Sequence, residues 1–109
     1  MDNYNIRYNT NPPSKLYNVN DLEYTFFENL FSKFQEAKLN GGLRMVRMSD
    51  GTLAVEYSGY PIGKVKLQGR THSMQILKGL YTHFSVEGSI QDFIPKIDAW
   101  VKYTKRYIK

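Results

Sequence analysis

Between Leu43 and Lys78 the chain alternates apolar and polar residues in four short runs, each closed by a turn signal. Alternation places every second side chain on the same side of an extended backbone, so these runs are suited to strands with one buried face. Leu43 to Met48 forms the first. Ser49-Asp50-Gly51 turns it back, because an Asp-Gly pair tolerates positive φ, and Thr52 to Tyr57 returns with Leu53, Val55 and Tyr57 on one side. Ser58-Gly59 reverses the chain into a third strand, Tyr60 to Gln68, where Val65 and Leu67 oppose Lys64, Lys66 and Gln68. Pro61 lacks a backbone donor and belongs at the start of that strand or on an edge. After Gly69-Arg70-Thr71 a fourth strand sets Met74 and Ile76 against Ser73 and Gln75. The expected sheet is an antiparallel four-stranded meander.

Such a sheet is stable only when its apolar face is covered, and two helical patterns flank it. The first starts at Asn20, with Glu23 three residues on to complete a capping box and Asp21 and Glu23 at the positive end of the helix dipole. Leu22, Phe26, Phe27, Leu30, Phe31, Phe34, Ala37 and Leu39 then recur at three- and four-residue spacing, and Gly41-Gly42 supplies a stop signal. The second starts near Ser89, with Asp92 as its capping partner. It runs through Ile90, Phe93, Ile94, Ile97, Trp100, Val101, Thr104 and Ile108, with Pro95 either kinking it or starting its regular part. Leu80 to Gly88 is too apolar for an open loop and follows neither period, so it reads as a packed connection with room for one extra short strand.

The expected fold class is therefore α+β: a two-layer sandwich in the order α-β-β-β-β-α, with both helices on one sheet face. Its 109 residues suffice for one core, so residues 20–109 are expected to form a single domain. Residues 1–19 hold five asparagines and Pro12-Pro13 without apolar periodicity, and read as an irregular arm. The order of elements resembles that of double-stranded RNA binding domains, which also place a short sheet between two helices. The likeness is one of arrangement and assigns no residue.

Composition excludes several functions. The chain has no cysteine, which removes disulfides, thiolate metal sites and a cysteine nucleophile. No apolar run approaches the roughly 20 residues that cross a bilayer, and the first residues lack the pattern of a signal peptide, so no membrane association is expected and a cytoplasmic location is. His72 and His83 have no carboxylate at a spacing that would orient them, no serine sits in a nucleophile elbow, and Gly59 to Lys64 matches no phosphate loop. No catalytic residue, metal or cofactor is expected.

Charge points elsewhere. Residues 1–42 carry four basic and five acidic side chains, whereas residues 43–109 carry eleven basic and five acidic, giving a net charge of +5 overall. A field of that sign attracts polyanions. If Val65 and Leu67 face the helices, Lys64 and Lys66 face outward, with Arg70 and His72 following and Arg44 and Arg47 nearby. Tyr57 and Tyr60 stand beside them to stack on unpaired bases. The leading expectation is a small nucleic-acid-binding or regulatory protein, of the kind phages and mobile elements encode, that contacts DNA or RNA through these eight residues, with Lys64, Lys66 and Arg70 meeting phosphates. The plainer reading of the same lysines is a solvated sheet face. Lys102, Lys105, Arg106 and Lys109 form a second basic group, explained by the negative end of the helix dipole or by phosphate anchoring. The alternative expectation is a protein-interaction module, binding a partner or a second copy through Tyr57, Tyr60, Tyr81 and Tyr107.

Overall fold

The computed structural model describes residues 6–8, 19–48, 50–79 and 82–108. Helix α1 spans Asp21–Glu36, strands β2 to β6 span Leu43–Arg47, Leu53–Tyr57, Tyr60–Lys66, Ser73–Gly79 and Thr82–Glu87, and a short strand β1, Ile6–Tyr8, precedes them. A single helical turn, α2 (Ile90–Phe93), leads through a tight 3-10 turn at Ile94–Lys96 into α3, Ile97–Tyr107. The strands lie in sequence order, with β2 to β6 forming an antiparallel meander and β1 parallel to β2 at one edge.

The α+β class holds, but the meander has five strands rather than four. The extra strand is β6, within the segment that followed neither period. Its residues, apart from the half-buried Val86, are exposed, and only Phe84 and Val86 alternate as apolar residues, too short a pattern to mark a strand. β1 adds a further pairing inside the N-terminal arm, whose remaining residues up to 18 lie outside the described ones.

Helix α1 begins as its capping box requires: Asn20 Oδ1 accepts from the Glu23 N–H at 2.8 Å, and Glu23 Oε1 accepts from the Asn20 N–H at 3.2 Å. Its end departs from expectation. Lys38, at φ 62°, takes the left-handed position, and the Leu39 and Lys38 N–H groups donate to Phe34 and Gln35 carbonyls. That pattern is a Schellman motif with buried Leu39 as its apolar lock. Gly41 serves packing instead: a Cβ there would lie 2.6 Å from the Tyr57 ring, whose hydroxyl accepts from the Gly41 N–H at 2.7 Å.

The helical layer lies on the face carrying Met45, Leu53, Val55, Val65 and Met74, where Phe26, Phe27, Leu30 and Phe34 of α1 meet Ile97, Trp100 and Tyr103 of α3. Phe26 and Trp100 pack edge to face at 5.6 Å. The register between β3 and β4 shifts at Val55/Glu56, and this irregularity turns Ile62 inward as well as Val65. Simple alternation would have sent Ile62 outward with Lys64. Beside it, Gly63 leaves room for the Trp100 indole, which would come within 2.5 Å of any Cβ, while Trp100 Nε1 donates to the Gln75 carbonyl at 2.8 Å. The last helix breaks at Pro95, which sits at the start of the 3-10 turn where its missing N–H is least costly.

Candidate functional site

Two surfaces merit attention: the uncovered face of the sheet, and a groove beside α3. Lys64 is exposed and Lys66 half-buried on the uncovered face, opposite buried Val65 and Leu67, as strand parity demands. They border a shallow hollow of about 250 Å³ with Thr52, Ser73, Gln75 and Ser85. Asp50 stands at its rim. The Thr52 N–H, donating to Asp50 Oδ1 at 3.0 Å, holds that carboxyl below its ordinary value against the opposing cost of burial, with the Thr52 side chain and then Lys66 adding to the lowering.

The other residues expected on this face divide. Arg44 faces outward but is held by Glu56, with Nε donating to Oε1 at 3.0 Å. Arg70 is exposed in the bend after β4, and His72 places Nε2 3.0 Å from the Gly69 carbonyl oxygen. Tyr60 projects from the β3–β4 turn at 60% exposure.

Arg47 and Tyr57 belong to the opposite face. Tyr57 packs on Phe34 with ring centres 5.6 Å apart. Arg47 is 1% exposed, and its Nη1 donates to Glu23 Oε2 at 2.6 Å and its Nη2 to Glu23 Oε1 at 3.1 Å. Gln68 also leaves the lysine row: its Nε2 donates to the same Glu23 carboxylate at 3.0 Å. The outer face carries charge of both signs, with Arg44 held by Glu56, Lys66 close to Asp50, and Arg70 exposed in the bend beyond.

A second group of cations gathers beside α3. Helix α3 lies over β4 and β5 and leaves β6 uncovered, opening a groove of about 690 Å³. Its floor is Ile76, Leu77, Phe84, Tyr103 and Tyr107, and its rim is Lys78, Lys102, Lys105 and Arg106. Among the described residues no carboxylate lines it. Phe84, paired with Ile76 across the strands, is 40% exposed, and Tyr107 is 37% exposed. Lys78 Nζ sits 5.5 Å from the Phe84 ring centre, Arg106 lies 5.6 Å from that of Tyr107, and Tyr103 and Tyr107 pack at 4.9 Å. Three of the four rim cations follow from α3's periodicity: Ile97, Trp100, Tyr103 and Thr104 point inward, so Lys102, Lys105 and Arg106 line the outer flank.

The sequence reading singled out Tyr107 and the α3 cations separately, but missed the groove that joins them to Phe84 and Lys78. Its signal is non-local, since β6 had to be recognised as a strand before Phe84 could be placed opposite Ile76. Tyr81 and Lys109 lie outside the described residues. Among the described residues no three His, Asp or Glu side chains converge as a metal site would require, and no helix is long and apolar enough to cross a membrane. Comparison with protein-family models, with curated proteins and with solved structures finds no match.

Proposed function

We propose that this chain is a protein-interaction module whose docking surface is the groove between α3 and the β5–β6 hairpin. One observation carries the reading: exposed aromatic side chains and four cations converge on a concave surface that the helical layer leaves open. Buried area against Phe84 and Tyr107 would supply the attraction, and aromatic and arginine side chains are the ones that commonly dominate protein interfaces.

The test is selection of a displayed random peptide library on the full chain, followed by affinity measurement against wild type and a Phe84→Ser, Tyr107→Ser variant. Both residues are surface-exposed, so a circular dichroism spectrum like that of wild type is expected and establishes that the variant folds. Peptides that lose affinity for the variant support the groove. Absence of any selected peptide, or undiminished binding to the variant, overturns it.

A second reading rests on the adjacent, outward-facing Lys64 and Lys66 with exposed Tyr60 nearby: contact with a nucleic-acid backbone. Binding of a single-stranded homopolymer at low salt that is lost on Lys64→Ala, Lys66→Ala substitution would move the function to that face.

A further inference from the structure

We propose that the groove's occupant is an extended acidic segment of a partner protein, added as a new strand along the open edge of β6. This rests on the docking reading above and specifies the partner's chemistry and its mode of binding.

The edge comes first. Among the described residues the sheet ends at β6, which pairs on one side alone. Just past it, the Gly88 N–H donates to the His72 carbonyl, so Gly88 points its backbone toward β5. Antiparallel pairing alternates along a strand, which directs Val86 and Phe84 inward in the same way and turns the backbone groups of His83, Ser85 and Glu87 outward. These outward groups form a template of donors and acceptors for an incoming strand. Thr82 to Glu87 contains neither lysine nor proline, the residues that commonly blunt such an edge.

The groove supplies selectivity. Side chains of an added strand alternate in direction, so every second one would enter the groove beside Phe84 while the others follow His83, Ser85 and Glu87 on the opposite face. Floor and rim then ask for different chemistry on the groove side: an apolar residue over Phe84 and Tyr107, with carboxylates before and after it to meet Lys78, Lys102, Lys105 and Arg106. The same rim disfavours a second copy of this chain docking groove to groove, because that would oppose like charges across a desolvated contact.

The probe is a blocked synthetic peptide of about seven residues, the length of an ordinary strand, with glutamate, leucine and glutamate at its even positions and threonine at the rest. Two further versions carry N-methyl groups on the even or on the odd amides. Strand addition uses amides along one edge of the peptide, so one methylated version should bind about tenfold more weakly or worse while the other binds as the parent does. Lysine in place of both glutamates should abolish binding. Ser85→Pro, which removes an outward donor from β6, should weaken binding of the parent peptide. In amide NMR spectra the His83, Ser85 and Glu87 signals should shift and gain protection from exchange on binding.

Equal tolerance of both methylated versions, or of the lysine peptide, overturns the inference. The two levels separate cleanly. Library peptides that need Phe84 and Tyr107 but tolerate methylation along either edge would leave the groove standing and remove strand addition. Loss of all groove-dependent binding would remove both.

Discussion

Arg47→Met tests the account of the core most sharply, because it removes one partner of a buried ion pair and leaves the other in place. Glu23 is 0% exposed and Arg47 1%, so neither charge can turn to water without moving the end of α1 or strand β2. The substitution deletes the 2.6 Å and 3.1 Å bonds from Arg47 to Glu23 and the 3.0 Å bond from Nη1 to the Gly51 carbonyl. Stranding a buried charge in this way costs about 3 to 5 kcal/mol. Glu23 still accepts from the Asn20 N–H and Gln68 Nε2, which places the expected loss near the lower end, about 3 kcal/mol. Replacing both residues, as Glu23→Leu with Arg47→Met, removes the stranded charge but sacrifices half of the capping box, a cost of about 1 kcal/mol. The double variant should therefore be more stable than Arg47→Met alone by about 2 kcal/mol, a difference well above experimental noise. Urea unfolding followed by fluorescence of Trp100, the chain's single tryptophan and fully buried, reports this directly. A double variant as unstable as Arg47→Met, or less stable still, would refute the claim that an uncompensated charge is what the single substitution leaves behind.

Gly63→Ala should destabilise the fold by about 2 kcal/mol in the same urea assay, because the new Cβ would lie 2.5 Å from the Trp100 indole, itself buried and anchored to Gln75. Tyr57→Phe removes the acceptor for the Gly41 N–H and should cost about 1 kcal/mol, with the cold-water exchange rate of that amide rising in parallel. The Ser89 backbone N–H, followed by its hydroxyl, holds the Asp92 carboxyl below its ordinary value. The folded value is the lower one, so this stabilisation is present above about pH 4 and disappears as pH falls through the folded value. Asp92→Ala should consequently lower stability at neutral pH and flatten its decline below about pH 4, as followed by thermal melts across that range.

Periodicity, read without coordinates, placed both principal helices, four strands and the turn between β3 and β4, where Ser58 and Gly59 both adopt positive φ. These features are written locally: a capping box spans four residues, and alternation shows over five. The same parity correctly set Lys64 and Lys66 opposite Val65 and Leu67. It also sets Arg47 with Met45 on the core side and opposite Arg44, but it could not show what neutralises a charge there, because that is Glu23, 24 residues away on another element. Gln68 turned inward for the same carboxylate at a separation of 45 residues, and Ile62 followed a register shift that depends on how β3 and β4 pair. Strand β6 has no buried stripe to reveal it and exists through its pairing with β5. Hydrophobic spacing thus decided which segments are helix or strand and which side faces the core. Where the charges meet, which of them cancel, and that Phe84, Tyr107 and four cations share one groove were decided by packing, because those distances close only after the elements dock.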